Sequence, residues 1–292
     1  MSCQPGILHD VPSVGRYLFL RRRLGGDLAA ALRALASHEL GPDVIGLGEA
    51  VVREAGGEVP GLREHPRLVG SGITVPSTPM GLCAWLRGDD RGELLHRGRM
   101  LCARLGDGFV LDHVVESFRY QAGRDLSGYM DGTENPKGEQ AEHAALVTGA
   151  GAGLDGGSFV AIQAWRHDLD RFEAMSPGER DLVFGRSHAD DEEIDDAPAS
   201  AHVKRTAQES FEPEAFVLRR SMPWSDPDGE GLVFVAFGRS FDAYEALLRR
   251  MVGHEDGIVD SLFSFTRPVT GSYFWCPPVR DGRLDLSALR LG

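Results

Sequence analysis

Apolar and polar positions fall into two successive blocks along the chain. In the first, residues 15–22 (GRYLFLRR) form an aliphatic and aromatic run ending in arginines, which predicts a strand. Residues 27–40 carry apolar positions at helical spacing, and residues 43–51 predict a second strand. After a Pro/Gly-rich stretch come a strand at 81–86, a helix at 93–105 and a strand at 108–118. The block reads β-α-β-β-α-β. The second block repeats that order. A strand at 158–166 is followed by a helix opening at Ser176, with Pro177 at its first position and Glu179 completing a capping box. Strands at 214–221 and 231–237 flank the turn-rich PWSDPDGEG. An amphipathic helix at 241–252 and a strand at 271–275 close the pattern. Two such units predict an α+β fold of two ferredoxin-like domains, 1–148 and 149–292, each an antiparallel sheet covered by helices. No close sequence repeat links the halves, so the duplication rests on element order alone.

Between the blocks lies GAGAGLDGG (149–157), with G-x-G-x-x-G at Gly151, Gly153 and Gly156. A dinucleotide-binding loop follows a strand and opens a helix; this one precedes a strand, so it reads as a linker or turn.

Hydrophobic residues at 42% and charged residues at 26% are those of a soluble chain that buries a core. No apolar stretch approaches the ~20 residues needed to cross a bilayer. The first residues show neither a basic leader with an apolar run nor a twin-arginine signal, which makes the cytoplasm the expected location. The excess of 44 acidic over 31 basic residues gives a net charge of −13, which repels phosphate backbones and anionic lipid. Neither nucleic acid nor a membrane is an expected partner. Cys3, Cys83, Cys102 and Cys276 stand far apart without a C-x-x-C pair, so they read as free thiols and indicate no zinc or iron–sulfur site.

The densest run of special residues is DLSGYMDGTENPKG (125–138), a long polar loop with glycines, a proline and carboxylates. Such loops are commonly functional, and this one would suit a carboxylate held on rigid turn backbone. The alternative is an Asx-turn in which Asp131 caps local N–H groups. Residues 190–196 (DDEEIDD) read chiefly as a solvated acidic loop, with attraction of Mn²⁺ or a cationic dye as the sharper alternative. Trp85, Trp165, Trp224, Trp275 and the five tyrosines either pack or carry electrons to bulky surface reductants.

Gly128-Tyr129-Met130-Asp131-Gly132 matches the G-x-x-D-G motif of the dye-decolorizing peroxidases, and Thr133-Glu134-Asn135-Pro136 resembles its extension in the compact cytoplasmic branch of that haem family. Residues 200–205 (SAHVKR) resemble the segment with the proximal haem ligand, 218–223 (LRRSMP) the segment with the distal arginine, and 266–274 (TRPVTGSYF) the C-terminal signature. The resemblance covers nearly the whole chain, most strongly from Asp125 onward. It implies two ferredoxin-like domains, with one haem b between the sheet and helices of the second, and a peroxidase that reduces hydrogen peroxide while oxidising small organic electron donors one electron at a time. His202 is then the axial ligand of the haem iron, with Asp260 orienting its other nitrogen and Asp256 a close rival for that task. Asp131 shuttles the proton and Arg219 stabilises charge. To accept a proton Asp131 must be ionised at rest, and a neighbouring arginine favours that form. If 214–221 is a strand, Arg219 and Ser221 share one face and line one wall, while Arg220 points away to a salt bridge at the sheet edge. Arg205 and Arg186 are candidates for the propionates, and Thr133, Glu134 and Asn135 for haem-edge contacts; a surface role is the alternative for each.

The family also implies a homo-oligomer. The tail 281–292 (DGRLDLSALRLG) loosely resembles the short tails by which some bacterial members enter encapsulin shells; the alternative is a terminal segment docking on its own domain. Two rival functions remain: a haem-binding or haem-trafficking protein with incidental peroxidase activity, and a haem-free binding module.

Overall fold

Alternation along the strands decides the architecture. The computed structural model describes residues 2–291 and contains an antiparallel sheet that closes on itself through eight strands. They are β1 (Val14–Arg22), β2 (Val44–Leu47), β3 (Leu82–Gly88), β4 (Phe109–Phe118), β5 (Ser158–His167), β6 (Met222–Asp226), β7 (Gly229–Gly238) and β8 (Ser272–Cys276). The first half contributes the order β2-β3-β1-β4 and the second β6-β7-β5-β8. The halves join at two seams, each with one bridged pair: Ser117 with Trp224 between β4 and β6, and Trp275 with Leu47 between β8 and β2.

Because side chains alternate across a strand, each strand supplies two cores. Tyr17, Trp85, Ile162, Val235 and Phe274 belong to one buried cluster, shared by strands all round the ring. Their neighbours Leu18, Leu86, Ala161, Ala236 and Tyr273 pack on the other face, in a second cluster that includes the covering helices. Those helices start where the sequence places caps. Asp27 accepts the Ala30 N–H at 2.8 Å at the head of α1 (Leu28–Ala36), and Asp90 accepts that of Glu93 at 2.8 Å at the head of α2 (Arg91–Leu105). Ser176 and Glu179 form the expected capping box on α3 (Pro177–Phe184). One turn, α4 (His202–Arg205), and the amphipathic α5 (Asp242–Met251) complete the second half's cover.

Three expectations need amending. The sheets of the two halves are continuous rather than separate, since single-pair seams leave no pattern in the sequence. The strand expected at 43–51 stops at Leu47 and the chain turns into a helix, Glu49–Glu54. Gly48 marks the switch, where any Cβ would lie 2.0 Å from the Met80 carbonyl oxygen. The strand expected at 214–221 shrinks to Leu218–Arg219, because Gln208 takes the upstream amides: its carbonyl accepts from Ala215 N–H at 2.9 Å and its side chain from Val217 N–H at 3.0 Å. The tail packs on the chain itself, the alternative to a cargo segment: Leu284, Leu286 and Leu289 are each 5% exposed within the chain's own core. The glycine run at 149–157 is a turn, with Gly149, Gly151, Gly153 and Gly156 all at positive φ. Among the described residues no helix is long and apolar enough to cross a membrane, and all four cysteines are free.

Candidate active site

Between the outer face of β5 and β7 and the helices α4 and α5 lies a cavity of about 340 Å³. Its walls are mostly apolar, with Leu232 and Phe234 from β7 and Leu247, Leu248 and Met251 from α5. Polar groups enter from the loop at 125–138, the turn α4 and the short strand at Leu218–Arg219, joined by Gln163 of β5 and by Arg186 and Gln208.

His202 opens α4 and lines the cavity. Its Nδ1 lies 2.7 Å from Oδ2 of Asp260, a carboxylate with no exposed side-chain surface, whose Oδ1 accepts the Leu262 N–H at 2.8 Å. A carboxylate here accepts a hydrogen bond from Nδ1–H, which leaves Nε2, with its lone pair, as the metal-binding atom. Asp256, the rival for this role, instead forms a bidentate pair with Arg205 at 2.7 and 2.8 Å. That pairing holds the Asp256 carboxyl at about 2. It also removes Arg205 from the cavity, contrary to the expectation that it meets the propionates.

Across the loop, Asp131 and Arg219 line the cavity together and form an ion pair at 3.5 Å. Arg220 points the other way, as alternation requires, but donates to the carbonyls of Leu8 and His9 rather than to an acid. Ser221 is not among the cavity-lining residues; its hydroxyl accepts the Val235 N–H at 3.4 Å. Thr133, Glu134 and Arg186 reach the cavity, and Arg186 bridges Glu134 at 3.1 Å and Glu193 at 2.7 Å. Asn135 stands behind the wall. Its amide donates to the Arg219 carbonyl at 3.0 Å and accepts the Arg219 N–H at 2.8 Å, tying the Asp131 loop to the arginine's strand. Within the acidic run, Asp191 pairs with Arg124 and Glu193 with Arg186.

Two further parts were not anticipated. Gln208 donates to the Glu134 carbonyl at 3.0 Å while holding Ala215 and Val217, so it joins the loop to the segment leading to Arg219. Asp125, not Asp131, forms the Asx-turn: it accepts from Ser127 N–H at 2.9 Å and Ser127 Oγ at 2.5 Å, and its Oδ1 meets His167 Nε2 at 2.9 Å. Burial pushes the Asp125 carboxyl up, but the His167 bond and charge, with the Ser127 donors, outweigh it and hold it low. The D-x-S spacing signals the turn; nothing in the sequence signals His167.

A family profile described as "Dyp-type peroxidase, C-terminal" matches residues 122–281, more than half of the chain. A dye-decolorizing peroxidase of Mycobacterium tuberculosis is 31% identical over 223 residues, covering 74% of this chain and 67% of that protein. The chain belongs to the Dyp-type peroxidase family. It spans about two thirds of the length of that curated relative, and slightly less of a second, from Rhodococcus erythropolis, at 65%. Among solved structures, a dye-decolorizing protein from V. cholerae superposes with a TM-score of 0.83 at 26% identity, covering 94% of this chain and 96% of that one. A DypB variant from Rhodococcus jostii RHA1 in complex with heme gives 0.84 at 26% identity over 93% and 95%. This Dyp-type chain is accordingly a haem peroxidase with a mixed α and antiparallel β fold.

The cavity fits a haem on its own evidence. It offers one imidazole with a free Nε2, apolar walls for a macrocycle, and Arg186 for a carboxylate. It also exposes one unmet donor: Nε2 of Gln163, a cavity-lining residue that is 1% exposed, has no hydrogen-bond partner among the described residues.

Proposed function

We propose that His202 holds the haem iron through Nε2, and that Asp131 and Arg219 work the peroxide. Haem b, when bound, supplies the iron at which hydrogen peroxide is reduced and the oxidising equivalents that organic donors then discharge one at a time. The chain's own tasks are positional and electrostatic. Asp260 keeps the His202 proton on Nδ1 and the ring fixed. The Asp131 carboxylate would take a proton from hydrogen peroxide and return it to the leaving oxygen. Arg219, ion-paired with Asp131 at 3.5 Å, neutralises charge on that leaving oxygen. Asn135 and Gln208 set the distance between them by fixing both backbones. Arg186 meets a propionate at the cavity rim, with Thr133 and Glu134 beside it.

The observation that carries this reading is the convergence on one cavity of the Asp131–Arg219 pair and a His202 already oriented by buried Asp260. A haem carrier needs the histidine but has no use for the acid–base pair. Two ferredoxin-like halves, 1–148 and 149–292, are supported by the shared strand order within each half of the ring. Small phenols and dyes are the donor class, and a homo-oligomer in the cytoplasm is the expected state. An encapsulin shell as partner would require Leu284, Leu286 and Leu289 to leave the core.

The test is a hemin titration of wild type and His202→Ala, followed by one equivalent of hydrogen peroxide. Wild type should show a Soret band that changes rapidly with peroxide, and His202→Ala should bind hemin weakly. Unchanged hemin affinity in His202→Ala rules out the ligand assignment; a peroxide-inert Soret band in wild type favours the carrier.

A further inference from the structure

Arg219 enters the cavity from a strand of only two residues, and its tip is not tightly gripped there. The guanidinium meets Asp131 at 3.5 Å, longer than the roughly 2.7–2.9 Å of a close charge-assisted bond. Its position therefore depends on where the backbone is fixed. Asn135 holds that backbone from the side of the 125–138 loop. From the other side Nη1 of Arg220 donates to the Arg219 carbonyl at 3.1 Å. The same guanidinium reaches further: Nε donates to the His9 carbonyl and Nη2 to the Leu8 carbonyl, both at 2.8 Å. Arg220 thus ties the Arg219 backbone to a strap of chain at residues 4–10.

The strap is itself pinned. Buried Gln4 donates to the carbonyls of Ile45 at 2.8 Å and Pro277 at 3.0 Å, and accepts the Ile45 N–H at 2.7 Å, across the seam of β2 and β8. Residues Pro5–Leu8 form one helical turn, whose last carbonyls have no helical partner. Two arginines use them. Buried Arg87 of β3, 4.4 Å above the Trp85 ring, donates to the carbonyls of Gly6, His9 and Asp10, and Arg220 takes its share from the other side. Burial pulls the Arg87 guanidinium down to about 10 and the nearby Arg220 adds to that, so the carbonyl row is what lets two cations lie side by side. Packing joins the same parts: Ile7 of the strap, Leu218 beside Arg219, and Ala141 and Ala145 of the helix Glu139–Ala145 share one buried cluster.

We propose that Arg220 is a positioning residue of the peroxide site, which passes the placement of the strap on to the Arg219 backbone and so sets where the distal guanidinium stands. The inference rests on the role proposed for Arg219. None of residues 4–10 lines the cavity, so the strap acts only through Arg220. An apolar side chain would cover the sheet here equally well, whereas a planar fork bonded to three carbonyls fixes both distance and direction. Gly6 is the tightest point of the strap. A Cβ there would fall 2.3 Å from the Pro42 carbonyl oxygen, 2.7 Å from Val44 Cγ2 and 2.7 Å from Nη1 of Arg87. A side chain at Gly6 therefore displaces the strap without touching Arg219, Arg220 or the cavity.

The experiment is fluoride binding to the haem-loaded ferric chain, followed by its visible spectrum. Iron-bound fluoride is a small anion that accepts from a cation above it, so its affinity reads the position of the Arg219 guanidinium. Arg219→Ala should weaken fluoride binding about 10-fold or more. Arg220→Leu and Gly6→Ala should each weaken it at least about threefold, and Arg220→Lys, which keeps the charge but loses the fork, should resemble Arg220→Leu. Val52→Ala, a buried truncation on the helix Glu49–Glu54, is the control for lost melting temperature and should bind fluoride as wild type does. In the haem-free chain, amide hydrogen exchange over residues 217–222 should speed in Arg220→Leu and Gly6→Ala but not in Val52→Ala. Wild-type fluoride affinity in Arg220→Leu overturns the proposal, as does a loss in Val52→Ala equal to that in Gly6→Ala. Wild-type affinity in Gly6→Ala overturns the strap's part. A loss confined to Arg219→Ala overturns this inference alone; no loss even in Arg219→Ala overturns the proposed role of Arg219 with it.

Discussion

Replacing Asp260 by asparagine tests how the proximal side of the cavity is built. The buried carboxylate has two partners, and both are donors: the Leu262 N–H at 2.8 Å and His202 Nδ1 at 2.7 Å. An asparagine of the same shape has one accepting oxygen and one donating nitrogen. With its oxygen on Leu262, its NH₂ faces Nδ1 and drives the imidazole proton to Nε2, the atom needed for iron. With its oxygen on His202, its NH₂ faces the Leu262 N–H, donor against donor. Either way one donor is left facing another inside the site, at about 1–3 kcal/mol. If that cost falls on the haem-binding form, it corresponds to roughly 5- to 150-fold in affinity; loss of such outer partners typically costs 10–100-fold. Hemin titrations followed at the Soret band give the ratio directly, with thermal melts of the haem-free proteins to confirm folding. Asp256→Asn is the control, because Asp256 serves Arg205 rather than His202. Equal hemin affinity in wild type and Asp260→Asn, or an equal loss in Asp256→Asn, would refute the reasoning.

The other expectations concern the distal side. Arg219→Ala should slow the reaction with peroxide more than Asp131→Ala if charge stabilisation outweighs proton transfer; equal losses in stopped-flow mixing would contradict that order. Asn135→Ala removes two bonds to the Arg219 backbone, each contributing about 0.5–1.5 kcal/mol, so it should lower urea-melt stability by about 1–3 kcal/mol and slow peroxide turnover while hemin affinity holds. The native Asp125 carboxyl is held below its ordinary value, so its contribution to stability is present above the unfolded value of 3.8 and is lost as pH falls through the lower native one. Urea melts in acid should therefore show wild type losing stability more steeply than Asp125→Asn, and parallel curves would exclude the effect.

Local signals read well where a short stretch decides the outcome. Ser176 caps its helix as its sequence context implies, and the alternation Arg219-in, Arg220-out holds even though the strand carrying it is only two residues long. The regular register continues past that strand, since the Arg220 N–H still donates to Val235 at 2.9 Å. Reading failed where distant chain decides. Residues 214–217 look like strand until Gln208 claims their amides. Asp256 and Asp260 are alike in sequence, and only the fold assigns one to Arg205 and the other to His202. Ser221, expected beside Arg219 on the cavity wall, does not line the cavity; its hydroxyl accepts a backbone N–H instead. The bonds of His167 with Asp125 and of His65 with Tyr244 span 42 and 179 residues, and no local pattern announces either.

The seam between β4 and β6 has a consequence for how copies of the chain meet one another. Since β4 is bridged to β6 only at Ser117, residues 110–116 have no strand on their outer edge among the described residues. An open edge of this length invites a second chain to add a strand and start an aggregate. This one is studded with charge: Asp112 pairs with Arg21 at 2.5 Å, Glu116 pairs with Arg16, and His113 lies beside Asp112 at 2.7 Å. An intruding strand would have to lie against these ion pairs and strip their water, so the gap in the ring can stay open without seeding fibrils.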